Sequence, residues 1–304
     1  MIPFDTGFDA MTLFRSLLFT PGNNEKMISK AFTLDADAVI LDLEDAVPPE
    51  EKPTARRIVS ETISKARGHV YARVNSLPTG MTNEDIGKVV QPNITGIVLP
   101  KVMSAEDVRK ADALLTETEK TLNIENGTTT ILPIVETASG VVHAYEIAKS
   151  SNRVKAITFG AGDFTLDMGI NWTEEGTESI YARSKVVVDA VAANKMPIDA
   201  VYTNVENLKG ITQDARLGKQ LGYKGKAIIH PSHIQPVNDI FSPSREELQW
   251  ASGVVSAFEA TMAEGKGATR FEGKMIDIMH YDRAKELLAM DKAITEQVVK
   301  KTQT

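Results

Sequence analysis

Short aliphatic runs recur along the chain, each followed by a stretch in which apolar residues return at helical spacing. The runs are RSLLFTP (15–21), AVILDLE (38–44), HVYARVN (69–75), GIVLPK (96–101), TILPIVE (130–136), VKAITFGA (154–161), PIDAVY (197–202) and KAIIHP (226–231). Several, AVILDL and GIVLP among them, are continuously apolar rather than alternating, as suits parallel strands covered on both faces. The intervening stretches carry helix signals. Residues 104–122 open on Ser104, a good N-cap, with the acidic Asp107 three positions on. Further helices are expected over 137–151, from a Thr cap, and over 177–195, after the break at Gly176.

Eight such strand–helix units in 304 residues fit a (β/α)8 barrel better than a doubly wound sheet, which carries fewer strands and a glycine-rich nucleotide turn. Neither GxGxxG nor GxxxxGKS/T occurs. After Pro231 the pattern changes to a short helix near 232–240, a longer one over 243–265, an extended piece at 268–277 and a final helix from about 281. The expected class is α/β: a TIM-barrel catalytic domain over 1–240, with a C-terminal helical lid or oligomerisation extension over 241–304.

Composition narrows the chemistry. The chain holds 34 Lys plus Arg, 41 Asp plus Glu, 5 His and no Cys, for a net charge of −7. Without Cys there is no disulfide scaffold, thiolate-bound zinc, iron–sulfur cluster or thiol nucleophile. The histidines form no HExxH or HxH pair, so any metal is expected to be a hard cation held by carboxylates. The acidic balance argues against nucleic acid as a partner. The N-terminal MIPFDTGFDAMTLFRS lacks a basic segment followed by an apolar core, and no apolar run approaches the ~18 residues of a membrane span. A cytoplasmic protein with no membrane partner is expected.

In a barrel, catalytic groups sit at the C-terminal ends of the strands. Those ends here carry Phe19 and Thr20, Glu44 and Asp45, Arg73 and Asn75, Lys101, Glu136, Asp163 just past the sixth run, Tyr202 and His230. General loop polarity would scatter charges rather than place them at strand ends. Glu136 and Asp163 end adjacent strands and are the best candidates for Mg²⁺, which takes one or two carboxylates and keeps water or substrate oxygens elsewhere. The alternative stands level with it: Glu136 caps the next helix and Asp163 closes a GAGD turn. Arg73 interrupts an apolar strand and is costly there unless paired. It is either a bidentate donor to a substrate carboxylate or thioester oxygen, or a salt bridge to Glu44 or Glu136 that fills the barrel top. Lys26 and Lys30 share a helical face and suit phosphates, although solvated lysines are the commoner case. His230 is a ligand or a packed strand-end histidine; His143 and His233 receive no role.

The segments RSLLFTPGNNEKM, VILDLEDAV, ARVNS, LPKV, PIVETASG, FGAGDF, YARSK, IIHPSHI and GKMID occur in that order between about Phe14 and about Ala284. Together they resemble the citrate lyase β-subunit-like proteins of the HpcH/HpaI aldolase superfamily. The resemblance implies a homotrimeric barrel with a C-terminal extension, acting as a Mg²⁺-dependent carbon–carbon lyase or synthase on a CoA thioester. It matches Glu136 and Asp163 to the metal ligands and Arg73 to the substrate-binding arginine. Glu44 and Asp45 match the acidic pair around the metal's waters and the thioester. Phe19, Lys26 and Lys30 match CoA-contacting positions, and Ile229 with His230 a substrate contact. Asp277 matches the catalytic acid/base, which in relatives enters the site from an adjacent subunit. Spacing alone does not single Asp277 out from Asp282 or Asp291.

The reaction so implied is reversible cleavage of a 3-hydroxyacyl-CoA, such as malyl-CoA or citramalyl-CoA, into acetyl-CoA and a 2-oxo acid, glyoxylate or pyruvate. PIVETASG is closer to the malyl- and citramalyl-CoA lyase branch than to the β subunit that works with an acyl-carrier partner. Malyl-CoA thioesterase, citrate lyase β subunit and a non-catalytic CoA-ester-binding barrel remain alternatives. Two positions depart from the family pattern: Met279 stands where relatives often have Pro, and Gly162 where many carry an acid.

Overall fold

The structure, a computed structural model, describes residues 13–263, 265 and 267–302. Eight strands close into a parallel barrel in sequence order: β1 Ser16–Pro21, β2 Ala38–Asp42, β3 His69–Arg73, β4 Gly96–Leu99, β5 Thr130–Val135, β6 Ala156–Phe159, β7 Met196–Asp199 and β8 Gly225–Ile228. β1 pairs with both β2 and β8, so the sheet has no free edge. All eight expected runs form strands. Glu44, Asn75, Lys101 and Glu136, placed at strand ends by the sequence pattern, lie just beyond the regular ladder. Leu17, Ile40, Tyr71, Val98, Ile134 and Ile198 meet in the apolar centre.

Between the strands, the helix Ala105–Thr121 starts from the expected cap: the Asp107 carboxylate accepts the Ser104 backbone N–H at 3.0 Å. The helix expected over 137–151 is instead two, Ala138–Val142 and Ala144–Lys149. His143 sits at the break, and its ring Nδ1 lies 2.9 Å from the Ser139 carbonyl, competing for a helical acceptor. The third begins as a 3-10 turn and runs as a regular helix over Ile180–Ala192. Its Arg183 belongs to the YARSK segment and is structural. The guanidinium donates to Asp199 at the end of β7 (Nε–Oδ1 2.8 Å) and to Asp214 (2.8 Å), while the fully buried Lys226 of β8 contacts Asp199 at 3.0 Å. Buried charges must be paired in this way to be tolerated.

The chain divides into two compact units, Phe14–Asn238 holding the barrel and a second beginning at Asp239. The second has its own core of Ala251, Val254, Phe258, Ile276 and Ala284. It contains the helix Arg245–Ala263, an antiparallel hairpin of β9 Ala268–Phe271 and β10 Lys274–Asp277, and the helix Ile278–Thr302. That last helix starts three residues before the expected point because Asp277 supplies its first turn: Oδ1 accepts the Met279 N–H at 3.1 Å and the His280 N–H at 3.4 Å. Among the described residues no helix is long and apolar enough to cross a membrane.

Candidate active site

The register of the first strands assembles the site. Arg73 ends β3 directly opposite Asp42, the last residue of β2. The guanidinium grips that carboxylate as a fork, Nε to Oδ1 at 2.7 Å and Nη2 to Oδ2 at 2.5 Å. Of the two salt-bridge partners that the sequence offers Arg73, Glu44 is one, at 3.1 Å from Nη1. The bidentate fork goes to Asp42, because parallel pairing puts it level with Arg73, and Asp45 lies at 3.5 Å. Phe19, on β1, lies under the guanidinium, with the ring centroid 5.0 Å from its carbon. This stacking favours a desolvated cation and fixes its plane.

Lys101 follows β4. Its ammonium reaches Glu44 Oε1 at 2.9 Å and Asp45 Oδ1 at 3.4 Å, and its backbone N–H donates to Glu136 Oε1 at 2.6 Å. Lys52 is buried below, with its ammonium on the Leu43 and Glu44 carbonyls and on Asn75 Oδ1. Asp163 lies in the first turn of the helix Ala161–Asp167, where the helix dipole favours a carboxylate. At the top of the site, five carboxylates (Asp42, Glu44, Asp45, Glu136 and Asp163) therefore face two side-chain cations, Arg73 and Lys101.

This excess shows in the acidities. Burial pushes the Glu136 carboxyl up to about 8, with the Asp163 charge acting in the same direction against the Lys101 N–H. Burial pushes Glu44 up to about 7, against the opposing pull of Arg73 and Lys101. Glu44 Oε2 is buried and accepts no well-aligned hydrogen bond, its ion pair being with Arg73 Nη1 at 3.1 Å. Packing also restricts Glu136: a Cβ on Gly160 would stand 2.5 Å from Oε2, so only glycine fits opposite that oxygen. Crowded, under-compensated buried carboxylates are the donor set expected of a hard divalent cation, and Glu136 with Asp163 suits Mg²⁺. Among the described residues no group of three His, Cys, Asp or Glu side chains forms a fuller cage.

The remaining expected residues fall as follows. Lys26 and Lys30 are exposed on the helix Glu25–Ala31, which Asn24 caps just after β1. Ile229 and His230 follow β8 and are exposed; the His230 ring takes the Ser232 N–H and hydroxyl, capping a 3-10 turn. Tyr202 turns its hydroxyl to Glu174, at 2.6 Å. Asp277 is in the second unit, its side chain 43% exposed and its Oδ1 2.7 Å from His280 Nδ1. That hydrogen bond holds the Asp277 carboxyl below the usual carboxylate range. The unusual Gly162 also has a local cause: the Trp172 ring packs so closely that a Cβ at 162 would meet it at 2.9 Å.

Residues 15–231 match the HpcH/HpaI aldolase/citrate lyase family model. The chain belongs to this family. It is 35% identical over 284 residues to the citrate lyase subunit beta of Leuconostoc mesenteroides subsp. cremoris, covering 92% of this chain and 94% of that one. It is 33% identical over 296 residues to the mitochondrial citramalyl-CoA lyase of Homo sapiens, covering 93% and 87%. Among solved structures it is similar to the CitE protein of Mycobacterium tuberculosis in complex with magnesium, acetoacetate and coenzyme A, with a TM-score of 0.71, 28% identity and coverage of 90% and 96%. As an HpcH/HpaI family member the chain is an enzyme, a carbon–carbon lyase. Within that family, Asp42 is the principal feature that motif reading passed over. The motif marks the adjacent Glu44 and Asp45, while the β2–β3 register that selects Asp42 leaves no signature in the sequence.

Proposed function

We propose that this lyase cleaves, or forms, a 3-hydroxyacyl-CoA such as malyl-CoA or citramalyl-CoA, with acetyl-CoA and glyoxylate or pyruvate on the other side of the reaction. The observation that carries the reading is the Arg73 cation, fixed by Asp42 and Phe19 beside an over-acidic carboxylate cluster. Mg²⁺ held by Glu136 and Asp163 would supply Lewis-acid polarisation of a substrate oxygen. The substrate's 3-hydroxyl gives its proton to the acidic cluster and becomes the carbonyl of the 2-oxo acid. As it does so the carbon–carbon bond breaks, and its electron pair is left on the thioester fragment as an enolate. Arg73, preorganised before that charge develops, donates to the enolate oxygen. Glu44 and Asp45 border this donor and hold waters on the acidic side. Asp277, ionised in the free enzyme, takes up a proton and passes it to the enolate carbon in cleavage, and as the carboxylate removes it in synthesis. Lys26 and Lys30 meet the CoA phosphates, and Ile229 with His230 lines the substrate's approach.

The same reading assigns residues 1–240 to catalysis and 241–304 to a lid and oligomerisation extension, in a cytoplasmic homotrimer with Asp277 supplied by a neighbouring subunit. Tyr181 and Val188, two turns apart on one helix, are 75% and 65% exposed. Val142, 63% exposed, is beside them through the Lys185–Val142 carbonyl contact at 3.3 Å. An uncovered apolar stripe of this kind supports assembly. Mixing Asp277→Ala with Arg73→Ala subunits is expected to restore turnover, because some mixed sites regain both groups. Absence of rescue after confirmed subunit exchange would place the whole site in one chain.

Metal binding should also appear in stability. Glu136 and Glu44 keep protons in the folded, metal-free protein that the unfolded chain loses near 4.5. Stability in EDTA is therefore expected to fall as pH rises through the interval from about 4.5 to about 8. Excess Mg²⁺ should raise Tm more at pH ~8.5 than at pH ~5.5, since it binds the ionised carboxylates. An equal or larger shift at the lower pH would contradict the assignment.

The citrate lyase β-subunit reading is retained because that relative is as similar as the citramalyl-CoA lyase. Incubation with malyl-CoA and citramalyl-CoA in Mg²⁺ separates the readings. Release of a 2-oxo acid with acetyl-CoA is expected. Free CoA without the oxo acid would indicate a thioesterase, and no turnover of either ester would favour the β-subunit or a binding role.

A further inference from the structure

Four non-glycine residues among those described have a left-handed backbone: Lys101, Asn123, Asn194 and Glu272. Three have ordinary reasons. Asn123 and Asn194 follow the ends of the helices Ala105–Thr121 and Ile180–Ala192, where Asn commonly adopts this conformation. Glu272 precedes Gly273, also at positive φ, in the β9–β10 hairpin turn. Lys101, at φ 54°, ends no helix and sits in no hairpin. A strained backbone persists only where its surroundings determine it, and such residues gather at functional sites.

At Lys101 the surroundings are specific. Val102 N–H donates to the Ile134 carbonyl at 3.2 Å, tying the chain to β5 immediately after the left-handed residue. One residue earlier, the Lys101 N–H leaves the ladder and donates to Glu136 Oε1 at 2.6 Å. Glu136 is 4% exposed, so this donor is a major determinant of where its carboxylate points. Gly160 closes the opposite side of the same carboxylate. The Lys101 ammonium meanwhile holds Glu44 Oε1, leaving Oε2 toward Arg73.

We infer that Lys101 is a positioning residue whose left-handed backbone aims its N–H at Glu136 and fixes that carboxylate for a divalent cation. This rests on the reading of Glu136 as a metal ligand. The backbone and ammonium contributions separate by substitution. Lys101→Asn removes the ammonium but retains a residue type that tolerates positive φ, whereas Lys101→Val removes the same charge and strongly disfavours that backbone. Lys101→Ala is a milder form of the second change should the Val variant not fold.

The test is calorimetric titration of each full-length variant with Mg²⁺ alone, after circular dichroism has shown a folded protein. Because both changes remove the same charge, the comparison between them isolates the backbone. The Val or Ala variant is expected to bind Mg²⁺ about 10–100-fold more weakly than Lys101→Asn, the usual effect of losing a hydrogen bond that orients a metal ligand. Equal Kd values for the Asn variant and the Val or Ala variant would overturn the inference while leaving the metal site standing. Absence of Mg²⁺ binding by the wild type would overturn the metal reading, and this inference with it.

Discussion

Arg73→Ala is expected to lower kcat/KM for the hydroxyacyl-CoA by at least about 10²–10³-fold, the effect of removing one preorganised oxyanion donor. The expectation comes from geometry. The fork to Asp42 and the Phe19 ring fix the guanidinium in place before substrate arrives. Loss of a buried partner commonly costs stability as well, so activity must be read beside folding. Asp42 retains other donors, since its oxygens also accept the Glu44 and Ala46 N–H groups at 2.9 and 3.2 Å. Arg73→Lys keeps the charge without the planar fork. It is expected to lose most activity at a Tm above that of Arg73→Ala, whereas near-normal turnover in either variant would remove Arg73 from the mechanism.

Glu136→Gln and Asp163→Asn are each expected to abolish Mg²⁺-dependent turnover, and Glu136→Gln carries a second, opposite signature. A Gln oxygen can still accept the Lys101 N–H, and the neutral amide removes a buried charge that the fold holds near 8 rather than 4.5. The variant should therefore be at least as stable as metal-free wild type above pH ~8, while gaining less from added Mg²⁺. Thermal unfolding in EDTA and in excess Mg²⁺ measures both. Destabilisation of Glu136→Gln under metal-free conditions would show that Glu136 serves as a structural carboxylate, the capping alternative that the sequence left open.

Periodicity located the eight strands because parallel barrel strands are covered on both faces, and AVILD and GIVL show this as unbroken apolar runs. The polar residues after those runs located Glu44, Arg73, Lys101 and Glu136 at the rim for the same reason. Contacts that depend on register or backbone handedness were not legible. Asp42 looks like an ordinary strand-end acid until β2 and β3 pair. Lys101 gives no hint of a positive φ, because Lys has no preference for that region and the Val102 hydrogen bond to β5 that follows it depends on the folded register. The break at His143 depends on a ring-to-carbonyl contact inside an otherwise helical pattern. Asp277 was distinguished from nearby acids only by the family motif, and the structure adds its hydrogen bond to His280.

The central claim is that a divalent cation at Glu136 and Asp163 and the Arg73 cation together cleave a carbon–carbon bond. It is tested most directly by treating the wild-type enzyme with EDTA, adding malyl-CoA or citramalyl-CoA, and then titrating in Mg²⁺ while measuring the 2-oxo acid and acetyl-CoA released. No product before Mg²⁺, followed by equal amounts of both products after it, is the expected result. Full activity in EDTA, or CoA released without the oxo acid, would contradict it.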